Sequence, residues 1–182
     1  LVPLFLLITY SANAAVFHAI SDGNWLVKTT WDLDKIPGAM DTVIINGFSV
    51  TYNNQDINYS VSRIEIYNET DNNDTKLNIS GESFLKVEND MTLTSYNFNK
   101  NIELKIQDNA TLNVFGNIIF NRTEENESNG KLSFFMINEG KMNVIGYFIY
   151  DYKNADKNDE SGFEIRLDNT SILSVAGNTP HT

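Results

Sequence analysis

The chain has 182 residues, enough for one domain with a core of its own. It carries 24 acidic against 13 basic side chains, a formal net charge of -11, and no short window is rich in Lys or Arg. This excludes the concentrated basic face that nucleic-acid binding needs, and the absence of cysteine excludes a disulfide scaffold.

Leu1 to Ile8 is an almost unbroken apolar run, followed by Ser11-Ala12-Asn13-Ala14. Small residues at Ala12 and Ala14 fit a secretory cleavage site, with the mature chain beginning at Ala15. The run is too short to span a bilayer, so no transmembrane segment is expected beyond it. Residues 1–14 therefore read as a signal peptide remnant, the alternative being a buried N-terminal strand. The protein is expected to be secreted or on a bacterial cell surface, since secreted eukaryotic domains of this size usually carry cysteine.

Residues 15–60 read as an N-terminal cap and first strands. They contain both tryptophans, Trp25 and Trp31, and the segment from Asp41 to Tyr52, where two β-branched runs flank Asn46-Gly47. Val61-x-x-Ile64-x-Ile66 reads as another short strand.

Residues 61–182 read as β-helix coils, truncated at the C-terminus. Within them one phrase recurs four times without gaps. One copy is Leu104-x-Ile106-x-Asp108-Asn109-Ala110-x-Leu112-x-Val114-x-Gly116. The others begin at Leu77, Phe134 and Ile165, and their turn positions Gly81, Asp108, Asn138 and Asn169 are 27, 30 and 31 residues apart. Each copy is an alternating strand, a small or polar turn and a second alternating strand. A period in this range signals stacked units.

Two architectures use such a phrase. An antiparallel β-sandwich would make each copy a hairpin. A parallel coil would stack equivalent residues about 4.8 Å apart, so one residue type would recur at one position. Leu85, Leu112, Met142 and Leu173 recur in this way, as do Val87, Val114, Val144 and Val175. The ladders favour the second: an all-β, right-handed parallel β-helix (β-solenoid) of about four to five coils with an N-terminal cap.

Polar excursions at 68–74, 97–101, 122–130 and 151–162 separate the copies and read as surface loops. In the last, Asp156, Asn158 and Glu160 place oxygen ligands on alternate residues, which makes calcium the one cofactor to consider. An EF-hand loop, however, needs glycine where Ser161 stands and an acidic twelfth ligand where Leu167 stands. A solvated loop accounts for the segment better. Asp108, Asn138 and Asn169 stack at a turn, where Asx side chains serve the backbone.

Catalytic chemistry has little to draw on. His18 and His181 are the only histidines, one near each end, which argues against a Ser-His-Asp site and against zinc. Carboxylate chemistry would need an acidic ladder, and Glu103 and Glu164 share their repeat position with Lys76. Trp25 and Trp31 are candidates for stacking on sugar rings. A cap over the apolar end of the first coil accounts for them better.

The order Gly23-Asn24-Trp25, Thr29-Thr30-Trp31, Ile36-Pro37-Gly38, Asp41-Thr42-Val43-Ile44-Ile45 and Gly47-Phe48-Ser49-Val50-Thr51 carries a resemblance. It resembles the N-terminal region of large bacterial secreted β-helix proteins of the adhesin type. It is also similar to the start of the eight-glycine extracellular all-β domain. The resemblance spans roughly Gly23 to Gly177 and implies a β-helix lead-in and cap. Such groups include adhesins, surface-layer components and modules joined to polysaccharide-active enzymes. The four phased repeats, the signal-like start and the lack of a catalytic constellation point to an exported structural or adhesive segment without catalysis of its own, meeting extracellular glycans or cell-surface proteins. The alternative is a polysaccharide-binding or polysaccharide-degrading module.

Overall fold

A computed structural model describes residues 13–69, 73–96, 100–123, 131–153 and 163–177. Most of the expected signal remnant and all three calcium candidates, Asp156, Asn158 and Glu160, lie outside the described residues.

The protein is an all-β solenoid of about five turns, each turn contributing one strand to each of three parallel sheets. A half-turn comes first, β1 (Val16–His18) and β2 (Gly23–Asn24). The first full turn is β3 (Thr42–Asn46), β4 (Ser49–Tyr52) and β5 (Ser60–Val61). The second is β6 (Arg63–Asn68), β7 (Thr75–Ile79) and β8 (Phe84–Val87). The third is β9 (Met91–Ser95), β10 (Ile102–Gln107) and β11 (Thr111–Val114). The fourth is β12 (Ile118–Thr123), β13 (Leu132–Ile137) and β14 (Lys141–Val144). The fifth is β15 (Phe148–Lys153), β16 (Phe163–Leu167) and β17 (Ile172–Val175).

Every ladder between the described strands is parallel, which removes the sandwich alternative. Among the described residues the one antiparallel contact is an isolated bridge, Ala19 to Trp31, in the N-terminal half-turn. The first sheet runs β1-β3-β6-β9-β12-β15, the second β2-β4-β7-β10-β13-β16 and the third β5-β8-β11-β14-β17. The recurring phrase covers only the second and third strands of the second to fifth turns. The strand of the first sheet follows the closing Val-x-Gly or Val-x-Asn.

Alternation puts every second residue inside. In the second sheet the inward rows are Val50-Leu77-Leu104-Phe134-Ile165 and Tyr52-Ile79-Ile106-Met136-Leu167. In the third, Val61-Val87-Val114-Val144-Val175 forms a row of valines. Equivalent apolar residues lie directly above one another, and each buried side chain contributes about 1.5–3 kcal/mol. Rings collect toward the fourth and fifth turns, where Phe120 meets Phe148 at 4.9 Å and Phe163 at 5.0 Å between centroids. At the fifth turn Ile165, Leu167 and Val175 are exposed, and β15, β16 and β17 each pair on one side among the described residues.

The opposite end is closed. Trp25 and Trp31 are 0 % and 1 % exposed, packed edge to face with centroids 5.0 Å apart. Trp25 also meets Tyr52 edge-on at 5.6 Å. Neither indole N–H is stranded: Trp25 Nε1 donates to Tyr59 Oη at 2.7 Å, and Trp31 Nε1 donates to the Trp25 carbonyl at 2.8 Å. The Tyr59 hydroxyl in turn donates to the Pro37 carbonyl, and burial pushes its pKa up to about 12. The lead-in residues Trp, Pro and Tyr thus lock one another over the first turn.

Candidate functional site

The structure withdraws Trp25 and Trp31 from the surface. A ring buried beneath the cap has no face to offer a sugar, so their chemistry is packing. His18 is exposed on β1, and its backbone N–H donates to Asp32 Oδ1 at 3.0 Å.

The Asx residues gather at the corners, where turning backbone leaves N–H groups outside the ladders. Between the third and first sheets, Asp90 Oδ1 accepts from the Asn117 N–H at 2.7 Å, and Asn117 Oδ1 accepts from Tyr147 N–H at 2.9 Å one turn on. Between the first and second, Asp74 accepts from Asn101 N–H at 2.9 Å and Asn101 from Lys131 N–H at 3.0 Å. Between the second and third, Asp108 and Asn138 hold positive φ of 58° and 50° and pair at 3.1 Å through the Asn138 amide. Asn101 and Asn117 thus serve the backbone at the corners, and Asn138 a neighbouring side chain.

In the last of these corners Asp168, one residue before the expected Asn169, does the bonding. Its carboxylate accepts from the Ser171 hydroxyl at 2.7 Å, from Asn138 N–H at 2.6 Å and from Thr170 N–H at 3.0 Å. The Ser171 bond, followed by the others, holds its pKa well below the usual carboxylate range. A depressed folded-state value means the unfolded chain takes the proton first. The contribution is therefore complete above about pH 4 and fades below it. Asp168→Ala is expected to lower Tm at neutral pH, and the gap to the parent should close in melts taken progressively below about pH 4. A gap independent of pH would show that the carboxylate charge is immaterial.

The outward faces are where a partner can be met. On the second sheet the outward rows run Ser49-Lys76-Glu103-Ser133-Glu164 and Thr51-Asn78-Lys105-Phe135-Arg166. A shallow cleft of about 220 Å³ opens there, lined by Glu103, Lys105, Phe135, Ile137 and Arg166. The Arg166 guanidinium lies 5.5 Å from the Phe135 ring centroid and bonds Glu164 Oε1 at 2.7 Å. Glu103 and Glu164 stand in one row with Ser133 between them. Two strand spacings put their backbones roughly 9–10 Å apart.

This cleft was not anticipated from sequence. Its signal is the run Leu132-Ser133-Phe134-Phe135-Met136-Ile137, where alternation fails because Phe135 and Ile137 are apolar at outward positions. Among the described residues no three His, Asp or Glu side chains gather to hold a metal ion. No helix there is long and apolar enough to cross a membrane. Comparison with family models, with curated proteins and with solved structures finds no match to this chain.

Proposed function

We propose that this chain is a rigid, non-catalytic β-solenoid segment of an exported or bacterial cell-surface protein, with a structural or adhesive role. One observation carries the reading. All four polar excursions join a strand of the first sheet to a strand of the second, so they leave one corner of a stack whose inward rows are unbroken. Loop sequence at that corner varies without disturbing the core. This division suits a rod that holds recognition elements at fixed spacing toward extracellular glycans or surface proteins.

The test couples attachment to turnover. Beads coated with the purified chain are expected to bind a glycan panel or bacterial cells saturably, while soluble polysaccharides incubated with the chain keep their length. Release of new reducing ends would overturn the non-catalytic reading in favour of a polysaccharide-degrading module. Absence of attachment to every surface would leave the rod role and remove the adhesive one.

A further inference from the structure

We propose that the outward cleft on the second sheet binds a neutral pyranose unit of an extended glycan. The proposal rests on the surface role above and assigns it a site. In the second sheet the outward residues of β4, β7, β10 and β16 are polar, whereas β13 turns Phe135 and Ile137 outward side by side. An apolar pair of this kind suits the C–H face of a sugar ring, as aromatic faces suit apolar edges generally.

Around that pair stand groups that both donate and accept. Lys105 and Arg166 flank Phe135 in register on the neighbouring strands. Glu103 lies two residues before Lys105. Neither Glu103 nor Lys105 has an ion-pair or side-chain hydrogen-bond partner among the described residues. An ammonium offers three donors and a carboxylate accepts through two oxygens. Together they match vicinal hydroxyls, each of which donates and accepts.

Charge decides which sugar. The lining brings Glu103, Lys105 and Arg166, and Arg166 is already paired with Glu164 at the edge of the cleft, so these four charges sum to zero within a chain of -11. A uronate or an acidic peptide gains no local field there and is repelled by the whole, whereas a neutral ring meets no such penalty. Size decides the form. About 220 Å³ falls below the roughly 300–1,000 Å³ of pockets that enclose free small molecules. One ring of a longer chain fits better, lying across an open face.

The experiment titrates cellohexaose, maltohexaose, laminarihexaose and a galacturonate hexamer into the full chain by calorimetry, beside Phe135→Ala and Lys105→Met. At least one neutral hexamer is expected to bind, with affinity changing less than about twofold between roughly 50 and 500 mM salt because no net charge is screened. Phe135→Ala should weaken it about tenfold or more, and Lys105→Met, at an outward position whose change leaves the core intact, about threefold or more. Failure of every neutral hexamer to bind overturns the assignment. So does binding that both variants leave unchanged, or a preference for the galacturonate hexamer with steep salt dependence. If Phe135→Ala beads attach to cells as the parent does while neutral hexamers fail, the cleft assignment falls and the surface role stands. If hexamers bind but are shortened, the non-catalytic reading falls and the cleft remains a sugar site.

Discussion

Trp25→Ala is expected to destabilise the chain by about 3–5 kcal/mol, the range for emptying a core site of an aromatic ring. The indole is fully buried and touches Trp31 and Tyr52 edge-on, so its removal opens a void bordered by two rings that cannot follow it. It also strips Tyr59 Oη of its donor inside the cap. For a chain of this size about 1 kcal/mol shifts Tm by roughly 2–4 °C, so thermal melts followed by far-UV circular dichroism should fall by roughly 6–20 °C. Trp25→Phe keeps most of the ring but not the N–H, and its loss should be smaller. Because each turn of a solenoid is held by its neighbours, the damage should spread from the capped end. Amide exchange in β3 and β4 is expected to quicken before exchange in β10 and β13. A melt within about 2 °C of the parent would show that the first turn needs no lid.

The stacked rows were legible because parallel stacking at one register converts structural equivalence into repeated identity. Val87, Val114, Val144 and Val175 recur at one place in the phrase and sit in one row of the third sheet. The first strand of each turn was less legible for the complementary reason. Its inward residues change size along the row, from Ile66 to Leu93 to Phe120, so alternation persists while identity does not. The full turn β3 to β5 has no copy of the phrase, since Tyr52 stands where the later turns have Ile, Met or Leu and leads to a different connection. The cap was legible from its composition, because large rings near one end of a stack have an apolar surface to cover. The cleft was not, because Lys105, Phe135 and Arg166 become neighbours only once strands about 30 residues apart are placed in register. Outward positions are also those the repeat constrains less, which is why architecture repeats here and the chemistry of this outer face does not.

The glycines of the phrase separate two demands that sequence alone merges, and substitution should pull them apart. Gly140 is buried, and a Cβ built there would lie 2.4 Å from the Ile106 carbonyl oxygen and 3.0 Å from its carbon, backbone atoms of the turn below. Gly146 is similar: a Cβ would meet the Gly116 carbonyl oxygen at 2.6 Å and Asn117 Oδ1 at 2.5 Å. Backbone fixed in a parallel ladder cannot give way as a flexible side chain can. Gly140→Ala and Gly146→Ala should therefore each lose about 1–3 kcal/mol, as overpacking does, and Asn or Asp in place of Ala should do no better. Gly81 faces open space, but its φ is +72°, the conformation that Asp108 and Asn138 adopt at the equivalent corners. There the demand is conformational. Gly81→Val should lose about 1–2 kcal/mol through the left-handed backbone, whereas Gly81→Asn should stay near the parent because its neighbours in the row already accept Asx. Urea midpoints for the set would decide the matter. Equal losses for Gly81→Asn and Gly81→Val, or an Asn that rescues Gly140, would mean that close approach and positive φ are not the separate constraints the stacking geometry makes them.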